Sequence, residues 1–273
     1  MGVDIPAFAL PGRHVRPRAM TDANAMTYGD YLALEPLLSA QHPISDHHDE
    51  MLFIVIHQTK ELWLKQMLHE LGLACALVRG DHFAPAYKAL ARISRIQAVM
   101  TLSWDVLATL TPVDYSAFRD VLGTSSGFQS VQFRELEFRL GLKDRQYLAY
   151  HEGGSAGHER LLAALDAPSL WDEANDALVR AGFDLDDRSS AAIETAWTKV
   201  YRDSERWFDL YQLAEKLVDI DDALAGWRHK HVLTITRIIG HKRGTGGSAG
   251  AAYLESTLSK RAFPELWSLR TGL

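Results

Sequence analysis

The 273-residue sequence contains a single cysteine, Cys75. A lone thiol excludes an internal disulfide and any multi-cysteine zinc site, and it fits a reducing cytoplasm. No uninterrupted apolar run approaches the ~20 residues that a membrane-spanning helix needs. Positive charge is also short: 29 Lys plus Arg stand against 35 Asp plus Glu, and a net charge of −6 gives no general field for holding phosphates. Neither a nucleic-acid binder nor a membrane protein is expected. No Glu has a His three residues later, as carboxylate-bridged di-iron bundles require. His-Glu-x-x-His and the Cys-x-x-Cys-His attachment for covalent haem are absent as well. Residues 1–20 carry Asp4, Arg13, Arg16 and Arg18 without the apolar centre of a signal peptide, and are expected to form a flexible arm.

What is present reads as helix. The chain is 47% apolar and 23% charged, enough to bury a large core. From 45 to 79 there is no Pro and only Gly72 interrupts, while Leu52, Ile56, Trp63, Met67 and Leu71 recur near helical spacing, with Ser45 or Asp46 placed to cap the start. Further helical patterns are expected over 84–110, 129–140, 191–218 and 221–239. Punctuation falls at Pro43, Gly80, Pro112, 123–127, 153–157 and 240–250. There is no internal repeat and no linker, so the expectation is an all-α, single helical-bundle domain over 21–273.

Twelve histidines are many for this length, and spacing sorts them. His47-His48-Asp49-Glu50 reads as an acidic first turn favoured by the helix dipole. Phe53 and His57 stand at i and i+4, on one face flanked by aliphatics. Such a pattern usually marks a hydrogen-bonded core imidazole, and by itself it does not make His57 catalytic. On the last long helix Leu224, Trp227, His231, Ile235 and Ile238 form one stripe, which buries His231 and leaves His229 facing elsewhere. A buried neutral imidazole needs a partner at its free nitrogen, and a metal is one way to supply it. Tyr115 and Arg119 form another i, i+4 pair beside the small residues 123–127. The guanidinium fork is either a seat for a carboxylate or a surface partner for Asp114 or Asp120.

The glycine-rich segment 243–250 matches the relaxed G-x-G-x-x-G/A dinucleotide fingerprint, with the β-branched residues 232–236 in the place of its strand. That fingerprint belongs in an alternating strand and helix chain, and no other buried-strand candidates exist. The match is therefore read as accidental, and the segment as a helix cap or a loop closing over a small ligand.

Together these pieces resemble the tryptophan 2,3-dioxygenase family, from Thr27-Tyr28-Gly29-Asp30-Tyr31-Leu32 to Phe263-Pro264-Glu265-Leu266-Trp267. The most specific stretches are Asp49-Glu50-Met51-Leu52-Phe53-Ile54, His57-Gln58-Thr59, Trp227-Arg228-His229-Lys230-His231 and Gly244-Thr245-Gly246-Gly247-Ser248. The resemblance implies a haem-dependent oxygenase that inserts O2 across the indole C2–C3 bond of L-tryptophan to give N-formylkynurenine, with ferrous haem b as cofactor. It implies His231 as the proximal iron ligand, His57 as the catalytic histidine facing the indole N–H, and Phe53 as the ring against which the indole packs. Arg119 with Tyr115 corresponds to the carboxylate clamp and Thr245 to the contact with the ammonium. Ser126 and Gly127 correspond to small residues that let substrate and oxygen stand close to the iron. Tyr28, Tyr31 and Leu32 correspond to a segment lent to a neighbouring active site in a homotetramer. A neutral His57 accepts the indole N–H, so activity is expected to fall in acid across pH 5–8, where an ordinary imidazole titrates. The small run Ala249-Gly250-Ala251-Ala252 departs from the common pattern and admits an alternative: a same-family oxygenase acting on a substituted tryptophan such as β-methyl-tryptophan, transferring one oxygen atom to give an oxindole or hydroxylated product.

Overall fold

The computed structural model describes residues 26–247 and 249–273, so the expected arm over 1–20 lies outside the described residues. The chain divides into two compact units, Met1–His42 and Pro43–Leu273. In the first, Thr27 caps α1 (Tyr28–Leu32) by accepting from the Asp30 amide, and Ala33 in the left-handed region turns the chain into α2 (Leu34–Leu38). Tyr28 and Tyr31 are three-quarters exposed, and Leu32 and Leu38 are exposed as well.

The second unit is all helical, and no strand occurs among the described residues. Its helices are α3 (His48–Arg79), α4 (Phe83–Leu107), α5 (Pro112–Phe118), α6 (Val131–Leu140), α7 (Ala156–Asp166), α8 (Leu170–Arg180), α9 (Ser190–Arg202), α10 (Phe208–Ile239), α11 (Ala251–Ser256) and α12 (Pro264–Ser268). The long helix α4 packs between α3 and α10, and Leu71, Val78, Leu90, Ile93, Leu213, Leu217 and Ile220, all fully buried, form their common core. Burying each such side chain contributes about 1.5–3 kcal/mol. A second, aromatic-rich cluster of Ile56, Trp104, Leu107, Phe118 and Ile238 gathers residues of the same three helices with α5. No single helix among the described residues is long and apolar enough to cross a membrane.

Two expectations are corrected. The patterns over 191–218 and 221–239 are not separate helices meeting near 220: the chain breaks at 203–207 and α10 runs unbroken through 218–221. No Pro or Gly signals the break at Asp203. The acidic Asp221, which looked like a boundary, is buried inside α10 and accepts from the Ala262 and Phe263 amides and Trp267 Nε1. The start of α3 carries no side-chain cap from Ser45 or Asp46. Instead Glu50 reaches back and accepts from the Ile44 and Ser45 amides at 2.9 and 2.8 Å. At the same end of the bundle Gly240, at φ 59°, stops α10 and turns the chain into the 240–250 loop.

Candidate active site

On α3 the Phe53 and His57 rings lie 4.2 Å apart between centroids. His57 Nδ1 stands 2.7 Å from the Phe53 carbonyl oxygen. A carbonyl only accepts, so Nδ1 carries the hydrogen and the Nε2 lone pair is left free. Burial pushes His57 down to about 4, with the carbonyl contact opposing and the Lys60 charge adding to the effect. The ring is therefore neutral throughout pH 5–8, which corrects the expected acid window: the titration moves below it. Phe53 also meets the Tyr115 and Phe118 rings at 5.9 and 5.8 Å, which brings α5 against α3.

A capping box between Thr111 and Asp114, with Pro112 in the first turn, opens α5 and commits Asp114 to its own helix end. Arg119 forms no ion pair with Asp114 or Asp120 among the described residues; its Nη2 donates to the Arg243 carbonyl. Beside it the Thr245 hydroxyl donates to the Ser125 carbonyl. A Cβ on Gly246 would stand only 2.5 Å from Ser126 Cβ, so the loop 243–247 is seated directly on 124–127. Arg119, Ser126, Gly127 and Thr245 are thus united by two loops in contact. Between them opens a cleft of about 310 Å³ lined by Ser126, Phe128, Tyr150, Thr245 and Gly246.

His231 comes from α10, and Trp104 of α4 stacks on it at 4.3 Å with only 9° between the planes. Trp227 lies one turn earlier, 5.3 Å away. His229 faces out and is exposed, as helical geometry requires. His231 is half-buried in the bundle. Burial pushes it down to about 3, and the charges of Lys60 and His57 add to this. The two imidazoles therefore lie within electrostatic reach of each other.

Sequence reasoning missed Lys60 and Trp104 here, and had Trp227 only as a member of the buried stripe. Lys60, Trp104 and Trp227 each bury a nitrogen, Nζ or Nε1, that has no hydrogen-bond partner. Neither ring nitrogen of His231 has one among the described residues. An unsatisfied buried polar group costs about 1–3 kcal/mol, so several converging on one place point to a ligand they serve. Among the described residues no group of three or more His, Cys, Asp or Glu is arranged to hold a bare metal ion. A single neutral imidazole with nearby N–H donors instead suits a metal already chelated by a macrocycle that carries carboxylates. The residues present fit iron porphyrin.

Other expectations fall elsewhere. Tyr28, Tyr31 and Leu32 belong to the N-terminal unit, on the exposed α1. The residues 232–236 that stood in for a nucleotide-fold strand are interior to α10, so the 243–250 glycines follow a helix and the dinucleotide fingerprint has no structural basis.

The sequence profile of the tryptophan 2,3-dioxygenase family matches residues 14–189 and 167–273. A protein of Caulobacter vibrioides named tryptophan 2,3-dioxygenase is 61% identical over 262 residues, covering 92% of this chain and all of that one. Proteins of the same name from Bacillus cereus and Ralstonia pickettii are each 52% identical, over 91% and 92% of this chain and 93% and 94% of their own lengths.

Proposed function

The chain belongs to the tryptophan 2,3-dioxygenase family, and on that premise we propose that it is a haem-dependent dioxygenase converting L-tryptophan and O2 to N-formylkynurenine. The observation that carries the reading is a pair of imidazoles within electrostatic reach of each other: His57, with a free lone pair and held by its own helix, and His231, stacked on Trp104 with both nitrogens unclaimed. His231 would hold the iron. When bound, ferrous haem b supplies an iron with an open coordination position at which O2 is activated.

The remaining work is orientation, which can lower a barrier by several kcal/mol without any covalent participation by the protein. The Nε2 lone pair of His57 accepts the indole N–H, a role supported by the tautomer that the Phe53 carbonyl enforces. The Phe53 ring, braced by Tyr115 and Phe118, packs against the indole face. Arg119 seats the substrate carboxylate beside the Tyr115 hydroxyl, exchanging its bond to a neutral carbonyl for charge-assisted ones. The Thr245 hydroxyl keeps a lone pair for the ammonium while it donates to Ser125. Ser126 and Gly127 keep the adjoining wall low.

We further propose a homotetramer in which the exposed Tyr28, Tyr31 and Leu32 complete a neighbouring site, within a haem-dioxygenase domain over 21–273. A cytoplasmic setting is compatible with the single buried thiol of Cys75. Two of the small residues behind the substituted-tryptophan alternative, Gly250 and Ala251, have a packing explanation. Gly250, at φ 65°, would place a Cβ 2.4 Å from the Lys242 carbonyl, and Ala251 is fully buried. Mass spectrometry of the product formed from L-tryptophan under labelled O2 tests the reaction: N-formylkynurenine with two labelled atoms is expected, and an intact indole ring with one labelled atom would overturn it.

A further inference from the structure

Lys60 follows His57 by three residues on α3 and is only 6% exposed. Its Nζ has no hydrogen-bond partner and lies 2.9 Å from the centroid of the Trp104 ring, the ring that stacks on His231. The acidic groups of neighbouring elements are committed elsewhere. Glu61 is held by Ser130 and Gln132, Asp105 by Lys230, Glu50 by Ile44 and Ser45, and Glu137 by Arg134 and Arg228. The other titratable groups that face Lys60 are His57 and His231, both neutral near pH 7. The ring face of Trp104 compensates an ammonium only in part, since a buried cation normally demands an anion or hydrogen-bond acceptors as well.

We propose that Lys60 anchors a carboxylate beside Trp104 and His231, and that this carboxylate is a propionate of the haem. The inference rests on the haem reading above. Two sources of carboxylate can enter the site, the porphyrin and the amino-acid substrate, and the substrate's is already matched to Arg119. Trp104 Nε1, in the ring under Lys60, and Nε1 of Trp227, whose ring lies 5.4 Å from that of Trp104, are buried and unpartnered and add neutral donors of the kind that share a carboxylate with an ammonium. Burial pushes Lys60 down to about 7, so in the apoprotein at neutral pH it is poised between amine and ammonium. An arriving carboxylate tips it to the charged form. Lys60 thereby stabilises the loaded protein and destabilises the empty one.

That opposition in sign supplies the test. Lys60→Met and Lys60→Arg are compared with the wild type in two measurements: the rate at which the loaded protein gives up haem to excess apomyoglobin, and the thermal midpoint of the apoprotein. Lys60→Met is expected to lose haem about 10-fold faster or more, the worth of a charge-assisted hydrogen bond, while its apoprotein melts about 2–4 °C higher. Lys60→Arg should stay near the wild-type rate. Loading with iron protoporphyrin dimethyl ester, which has no free carboxylate, should erase the difference between wild type and Lys60→Met. A Lys60→Met protein that releases haem at the wild-type rate overturns the assignment, as does one whose apoprotein melts lower, the signature of a packing role. A difference that persists with the dimethyl ester excludes the propionate. If tryptophan affinity alone falls, the substrate is the source and the propionate assignment is overturned. A wild-type chain that takes up no haemin overturns the haem reading itself.

Discussion

Lowering the pH from 7 to 5 is an informative perturbation because the site's histidine is held neutral. An unburied imidazole near 6.5 would be about 97% charged at pH 5 and unable to accept the indole N–H. With His57 pushed down to about 4 by burial, only about 10% is charged at that pH. The value of kcat/KM for L-tryptophan reports the protonation state of the free enzyme. It should therefore retain about nine-tenths of its pH 7 value at pH 5, so far as His57 governs it, and reach half near pH 4. His57→Gln offers an accepting carbonyl that does not titrate. It should lower kcat/KM about 2- to 13-fold, the worth of one hydrogen bond, and remove the acid limb. A wild-type inflection near 6.5 that vanishes in His57→Gln would refute the reasoning, because the ring would then be as solvated as an ordinary surface histidine.

Arg119→Lys keeps the charge and removes the fork, so kcat/KM for L-tryptophan should fall about 10- to 150-fold. Activity with tryptamine, which has no carboxylate, should change little, and equal losses for both substrates would place Arg119 away from the carboxylate. Arg228, 4% exposed, donates to Glu137 at 2.7 Å and to the Lys260 carbonyl at 3.0 Å. Removing one partner of a buried pair costs about 3–5 kcal/mol, so Arg228→Met should show a matching drop in urea-unfolding free energy, and a loss below ~1 kcal/mol would show the pair to be dispensable. Apoprotein stability should also decline in acid. His57 and His231 both have folded values depressed below the ordinary 6.5, so below that pH the unfolded chain binds more protons and stability is lost as pH falls toward 4. Between pH 6.5 and 5 this amounts to about 1.6 kcal/mol per ring, and a urea midpoint that does not move would contradict the burial of both.

Much of the bundle was legible because its long helices have periodic apolar faces. The helix expected over 45–79 is α3, and the one over 84–110 is α4. What periodicity hides is a break without Pro or Gly, as at 203–207, and a charge buried for its hydrogen bonds, as with Asp221. The site divides in the same way. Phe53 with His57 and the stripe through Trp227 and His231 were visible because residues three or four apart on a helix share a face. Trp104 was invisible as a site residue because its partner on α10 is more than a hundred positions away. Lys60, set among Gln58, Thr59 and Glu61, reads locally as solvent-facing; only the packing of α4 across α3 buries it. The loop contact that unites Arg119 with Thr245 was equally silent, since it is made through backbone carbonyls that carry no sequence signature.

The central claim is that His231 would hold the iron of a bound porphyrin. Its most direct test is the absorption spectrum of haem-reconstituted His231→Gly with and without added imidazole, with His229→Gly as control. The account predicts that His231→Gly loses the wild-type Soret band and tryptophan-dependent oxygen uptake, that free imidazole restores both, and that His229→Gly behaves as wild type. A His231→Gly protein that keeps the wild-type spectrum without imidazole would contradict it.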